Sequence, residues 1–424
     1  MKNIQVILPT LRDREGLKSL GNDYKIHWME DKDFNYPYPG AEFDLVKYTE
    51  QCSRYIEENH IDGIIYTHDL ANLVAGVLCD RHDILGPTLE SMFLTNHKYY
   101  SRRKETSSIW SDYIDLDTGK WGELDPVYPC YIKPPTLTMT LYQYRVDSQK
   151  EMDDIVEKLR AELPPLLQVY NSFFERYVDL DKYPLATKNI MVVEQLVEDS
   201  EQHCIEGWFD SNGNPYFWAE SDEIYYPGDR KSIDVYTTPS LLPQDVLDKL
   251  KEYSLEIVKN HKIDRGFWNV EIWRRGDWFT ATEVNGRSAS VWKDLYDGTY
   301  DVSLYKAMAY LCCGEDEKCL KESSNKSVAN KVGGQFHVIT YGEGKSEEFL
   351  VLINEIEGTD IEVLAPEGTE IVQSGTSGYW LARFNLYGDS FNEIYHKAKE
   401  IREKLLLQPE KSPKTTPLEQ TILK

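Results

Sequence analysis

Asn269-Val270-Glu271-Ile272-Trp273-Arg274-Arg275-Gly276-Asp277-Trp278-Phe279-Thr280-Ala281-Thr282-Glu283-Val284-Asn285-Gly286-Arg287 reads as two strands joined by a tight turn. Val, Ile, Trp, Phe and Thr dominate both arms, and Arg-Gly-Asp between them is a turn signal. Glu283 and Asn285 lie two residues apart, so on a strand they share a face. A three-residue loop over Arg275-Gly276-Asp277 pairs Glu271 with Ala281 and Asn269 with Glu283. Glu271, Glu283 and Asn285 then stand on one side; a four-residue loop moves Glu271 to the other face. Two carboxylates and an amide, without His or Cys, are hard oxygen donors suited to Mg²⁺, which completes its shell with phosphate oxygens and water. The competing reading is an exposed polar hairpin face.

Working outward, Asp210-Ser211-Asn212-Gly213-Asn214-Pro215 joins a second pair of strands, His203–Phe209 and Tyr216–Glu220, and 243–261 reads as an amphipathic helix. The first ninety residues alternate strand and helix. Ile4–Leu8, Tyr24–Met29 and Ile61–Thr67 are strands, and Leu70–Leu78 is a helix ending before Gly86-Pro87. Such βαβ alternation implies an open parallel sheet. Ser148 and Glu151 open a helix with Met152, Ile155, Val156 and Leu159 on one face. Gly314–Asn330 is polar and reads as a linker. Beyond it, strand, helix (347–356), strands and helix suggest a small α+β unit, and three prolines mark a disordered tail.

The 424 residues carry a net charge of −25. That balance argues against a nucleic-acid or anionic-membrane partner, which needs clustered basic residues. No apolar run approaches the roughly 20 residues that span a bilayer, and the apolar run in Met1–Pro9 is too short for a signal peptide and reads as a first strand. Seven cysteines without zinc spacing fit a reducing, cytoplasmic setting, where the sequon Asn325-Lys326-Ser327 is a chance match. Gly344-Lys345-Ser346 mimics the end of a P-loop, but the required earlier Gly is Ile339. HExxH, GxGxxG and GxSxG are absent, which leaves zinc hydrolase, dinucleotide and serine hydrolase readings without an anchor.

Glu283-Val284-Asn285-Gly286-Arg287 resembles the metal-binding strand of ATP-grasp enzymes. Three further segments match in order: His97-Lys98 with Arg102-Arg103, Tyr131-Ile132-Lys133-Pro134, and Val193-Glu194-Gln195-Leu196-Val197-Glu198 followed by Glu201. The resemblance implies nucleotide contacts from Lys98 and Lys133, an adenine hinge at Glu194, Gln195 and Leu196, and a ribose-binding carboxylate at Glu201. It implies metal ligands Glu271, Glu283 and Asn285, and catalytic roles for Arg287 and Lys133 at the transferring phosphoryl group. ATP and Mg²⁺ are the implied cofactors, with Mn²⁺ as an alternative ion. Structural readings compete throughout: Lys98 has rivals in Lys104 and the arginines, Glu201 sits in an acidic stretch, and Arg287 could be a structural ion pair. The sequence departs from the family at Pro135–Leu141, where the usual glycine-rich phosphate loop has threonines and no glycine.

The implied fold is α/β and α+β. A Rossmann-like preATP-grasp domain covers 1–95, and a two-subdomain ATP-grasp fold covers 96–313. A linker at 314–330, a small ferredoxin-like unit at 331–408 and a tail at 409–424 complete it. The implied activity, similar to amino-acid and dipeptide ligases of the carnosine-synthase type, is ADP-forming ligation of a carboxylate to an amine through an acyl phosphate. Both substrates are then small molecules, amino acids by class, and a homodimer stays open. A small-molecule kinase and a non-catalytic nucleotide-binding protein are the alternatives.

Overall fold

Lys2–Ile7 is buried without a break from Ile4 to Ile7, as befits a strand covered on both faces; Ile4 and Val6 enter a core shared with helices, and the strand becomes the centre of a three-stranded parallel sheet. Tyr24–Met29 flanks it on one side and Gly63–Ile65 on the other. The computed structural model describes residues 1–34, 42–106, 109–138, 141–226, 232–324, 331–372 and 378–413. The helix Asp69–His82 is buried without a break from Leu70 to Cys79, as expected of a helix that is apolar all round. Gly76 lets the helix Leu89–Asn96 approach it, since a Cβ there would stand 2.8 Å from the Leu89 Cα.

A four-stranded antiparallel sheet follows, in the order Ser111–Asp115, Ile190–Gln195, Cys130–Lys133, Tyr144–Val146. The 29-residue helix Gln149–Tyr177 covers it. Met152, Val156, Leu159, Leu163 and Leu167 fill the sheet's core. Tyr170, Phe173 and Phe174, further along, join the core shared with the amino-terminal helices. One amphipathic stripe thus fastens two layers together.

The largest sheet has nine antiparallel strands. From one edge it runs Trp278–Asn285, Gly266–Arg275, Glu201–Phe209, Pro215–Tyr225, Ile233–Thr238, Val332–Thr340, Tyr379–Gly388, Thr359–Val363, Glu355–Ile356.

Four expectations at the carboxy-terminal end need correction. The unit at 331–408 has its own core around Phe336, Phe384 and Ile401. It has no separate ferredoxin-like sheet, because Val332–Thr340 pairs with Ile233–Thr238 and extends the nine-stranded sheet. The helix expected at 347–356 is a single 3₁₀ turn, Ser346–Glu348, followed by extended chain. Val351 N–H donates to the Leu405 carbonyl at 2.8 Å, whereas in a helix it would bond four residues back within the segment. Asp316–Ser324 of the expected linker is a helix with Cys319 buried on its neighbour Leu304–Cys312. One buried cysteine and one leucine among nine residues, the other seven charged or serine, leave almost no periodic signal. Residues 409–413 of the expected tail are ordered: Tyr341 N–H donates to the Lys411 carbonyl at 2.7 Å and the Ser412 hydroxyl to Ile339 at 2.7 Å. Positions 325–330, with the sequon, and 414–424 lie outside the described residues.

Candidate functional site

The hairpin is built by two local devices. Arg275 pairs with Trp278 across a two-residue turn in which Gly276 sits at φ +59°, a position glycine enters without steric cost. Carried inward without interruption, that register would set Glu271 opposite Thr282 and Glu283 opposite Val270, on opposite faces. A bulge intervenes: Ile272 pairs with Ala281, but Glu271 pairs with Glu283, so Thr282 is the extra residue. Asn269 then pairs with Asn285. The three-residue loop expected from the sequence is absent. Its consequence survives, because the bulge returns Glu271, Glu283 and Asn285 to one face.

The two glutamates crowd each other. Burial, reinforced by the charge of Glu283, pushes the Glu271 carboxyl up to about 8. Asn285 Nδ2 donates to Asn269 Oδ1 at 2.9 Å, which leaves its carbonyl oxygen without a donor among the described residues. Among those residues no three His, Cys, Asp or Glu side chains converge, so the donor set is two carboxylates and one amide oxygen. Those donors fit a hard divalent cation, which would relieve their mutual repulsion.

Around the hairpin lies a cleft of about 220 Å³ lined by Asp69, Asn96, Lys98, Thr138, Glu283 and Asn285, among others. Lys98 opens the short helix Lys98–Arg102; its Nζ lies 3.3 Å from Glu283 and donates to the Leu137 carbonyl at 2.7 Å. Its backbone N–H donates to Pro135, so Lys98 pins the glycine-free loop twice. Met139 and Thr140 of that loop lie outside the described residues. A larger cavity, about 480 Å³, is walled mainly by apolar side chains such as Tyr66, Phe267 and Met308 and contains none of the predicted site residues.

Lys133 ends its strand inside the protein, with Nζ 2.7 Å from Glu194 Oε1. Arg102 takes the other oxygen, Nη2 at 2.9 Å and Nε at 3.1 Å, and also pairs with buried Glu105. Burial opposes ionisation of Glu194, but Arg102 and Lys133 outweigh it and hold its carboxyl below the usual range. Burial, seconded by Arg102, lowers the pKa of Lys133 despite Glu194. The Glu194 side chain is therefore spent on cations, and the expected hinge is left with the backbone at its strand end, Gln195, and with Leu196 beyond it. The Glu201 side chain is 55 % exposed and paired with Arg274 at 2.7 Å and His203 at 3.7 Å. Arg287 is held by Asp69 at 2.6 Å, at the first turn of the helix Asp69–His82. Burial opposes the Asp69 charge, but Arg287 holds its carboxyl low.

Reasoning from sequence missed Asp69, the hub role of Arg102, and Glu223. The first had a signal, since it follows the carboxyl end of a parallel strand, where open α/β sheets place ligands. Burial and the nearby charge of Glu271 push the Glu223 carboxyl well up.

With the geometry in hand, residues 126–293 match the family model described as ATP-grasp domain. The chain carries an ATP-grasp domain. Solved structures share the architecture over nearly the whole chain. L-amino acid ligase from Bacillus licheniformis superposes with a TM-score of 0.73 at 17% identity, covering 96% of this chain and 98% of that one. Phosphoribosylglycinamide synthetase from Anaerococcus prevotii gives 0.63 at 16%, covering 95% and 98%. The biotin carboxylase domain of Hydrogenobacter thermophilus 2-oxoglutarate carboxylase, in complex with MgADP and bicarbonate, gives 0.62 at 14%, covering 95% and 90%. No curated protein sequence matches the chain. At these identities the likeness is one of fold, and the ATP-grasp fold is the fold of this chain. Among the described residues no helix is long and apolar enough to cross a membrane.

Proposed function

We propose that this ATP-grasp protein is an Mg·ATP-dependent, ADP-forming ligase that joins a small carboxylate to an amine, with amino acids as the substrate class. The observation that carries the reading is the Thr282 bulge, which sets Glu271 beside Glu283 with Asn285 on the same face; Glu283 and Asn285 line one cleft with Lys98.

Glu271, Glu283 and Asn285 would hold Mg²⁺, which when bound neutralises phosphate oxygens. Lys98 and Lys133 bind phosphates on this reading, each exchanging a carboxylate or carbonyl partner for a phosphate oxygen. Arg287, oriented by Asp69, faces the charge that develops as the carboxylate attacks the γ-phosphorus. Because that transition state spreads charge over oxygens, fixed cations and exclusion of water carry most of the catalysis. The backbone around Gln195 and Leu196 takes the adenine edge, and Glu201 takes the ribose once released from Arg274.

The seven free cysteines fit a cytoplasmic setting. Hydroxylamine trapping tests the reading: with Mg·ATP and pooled L-amino acids, an acyl phosphate gives an amino-acid hydroxamate and ADP. ADP formed alongside a phosphorylated alcohol, with no hydroxamate, would instead identify a kinase.

A further inference from the structure

Beyond the metal pair, the same face of the large sheet continues as a polar row. Glu223 is paired with Gln202 on one side and with Tyr236 on the other, and Tyr236 is paired with Gln335. Residues directly opposite in an antiparallel ladder share a face and bring their side chains within reach of one another. Gln202 ties this row to the metal pair, donating from Nε2 to Glu271 at 3.2 Å while accepting from the Tyr225 hydroxyl at 2.8 Å.

The row has more acceptors than donors. Glu223 is 7 % exposed, and among the described residues no Lys, Arg or His pairs with it. A carboxylate so placed is costly unless a cation or several donors reach it. Gln335 is 3 % exposed and its Oε1 has no donor, the Nε2 amide being turned to Asn385 and the Val291 carbonyl. The Tyr236 hydroxyl has no hydrogen bond among the described residues. Its ring packs on Trp292 at 5.0 Å and edge-on to His337 at 5.2 Å, giving the row an aromatic wall. Two kinds of ligand could answer this surplus. A metal ion would need Glu223 to converge with Glu271 and Glu283, and no three such groups converge among the described residues. An ammonium group brings one positive charge and three N–H donors, and it also favours an aromatic face.

We infer that Glu223 and Tyr236, backed by Gln335, form the subsite that receives the primary ammonium group of the amine substrate. The inference rests on the ligase reading and deepens it: the amine is recognised by a buried carboxylate one strand away from the strand that follows the metal pair, and a substrate without that nitrogen gains nothing there.

The test uses the full chain saturated with Mg·ADP and titrated, by calorimetry and thermal shift, with the common L-amino acids and short primary alkylamines. Each compound is paired with its counterpart lacking the amine. Wild type is expected to bind at least one ammonium compound and not its partner. Glu223→Gln is expected to weaken that binding at least tenfold and Tyr236→Phe two- to fivefold, with Mg·ADP affinity unchanged in both within a factor of two. Glu223→Gln is isosteric and replaces a buried carboxyl whose ionisation burial already opposes, so its melting temperature without ligand should stay close to that of wild type. Three results overturn the inference: ammonium binding unaffected by Glu223→Gln, a loss of Mg·ADP affinity that makes Glu223 a metal ligand, or no ammonium compound bound by wild type. Failure of wild type to bind Mg·ADP defeats the ligase reading itself and is read separately.

Discussion

Arg102→Lys is the substitution that most sharply probes how the site is held together. The Arg102 guanidinium is buried and planar, and it reaches four groups at once. It holds Glu194 at 2.9 Å, pairs with Glu105, donates to the Ala281 carbonyl at 2.7 Å and approaches the Thr282 carbonyl at 3.5 Å. The last two belong to the residue before the bulge and to the bulged residue itself, which sets Glu283 beside Glu271. A lysine keeps the charge but replaces the fork with one flexible ammonium, which cannot span both carboxylates and the strand. Losing about two charge-assisted hydrogen bonds, each worth about 1.5–3 kcal/mol, predicts a loss of about 3–6 kcal/mol. That is a large part of a typical total of about 5–15 kcal/mol. Loosening a support behind metal ligands should also raise the Mg²⁺ concentration needed for ADP binding by about 10–100-fold. Urea unfolding and calorimetry at several Mg²⁺ concentrations measure both effects. A variant within about 0.5 kcal/mol of wild type, the range of an ordinary surface change, with an unaltered Mg²⁺ requirement would refute this account of the bulge.

Other predictions concern the cleft directly. Glu283→Gln should abolish turnover while largely preserving the fold, and near-wild-type rates at saturating Mg²⁺ would reject Glu283 as a ligand. Lys133→Ala should cost about 2–4 kcal/mol in phosphoryl transfer, as loss of a preorganised donor does. Lys345→Ala, which removes an exposed pair with Glu370, should leave it nearly unchanged; the reverse order in single-turnover rates would move the phosphate site. Because Glu271 titrates at about 8 in the free cleft, its carboxyl is largely protonated below that pH and must lose the proton to bind a cation. Mg·ADP binding should therefore release protons below pH 8 and weaken by up to about tenfold per unit as pH falls. Calorimetry in two buffers of different ionisation enthalpy reads the release directly, and no buffer dependence would contradict it.

Much of this was legible in the chain. The parallel opening domain followed from short apolar strands alternating with helical spacing, and the ATP-grasp resemblance from four short motifs in order. The faces of the hairpin came out right although its register did not, because a bulge depends on tertiary contacts such as Arg102 on Ala281 rather than on local sequence. Glu194 illustrates a different limit. Its position in the motif was readable, but its commitment to Lys133 and Arg102 joins residues 61 and 92 positions distant, beyond any local pattern. The 347–356 segment misled because Phe349, Leu350 and Leu352 are spaced well enough for a helix face, while the chain there is pulled out straight by Leu405.

The most direct test of the central claim is an ATP-consumption screen over pairs of amino acids, read by separating ADP from AMP and phosphate from pyrophosphate. Consumption that requires both partners and yields ADP and phosphate in step with an amide product is the predicted result. AMP with pyrophosphate, or no pair-dependent consumption by a chain that binds Mg·ATP, would contradict it.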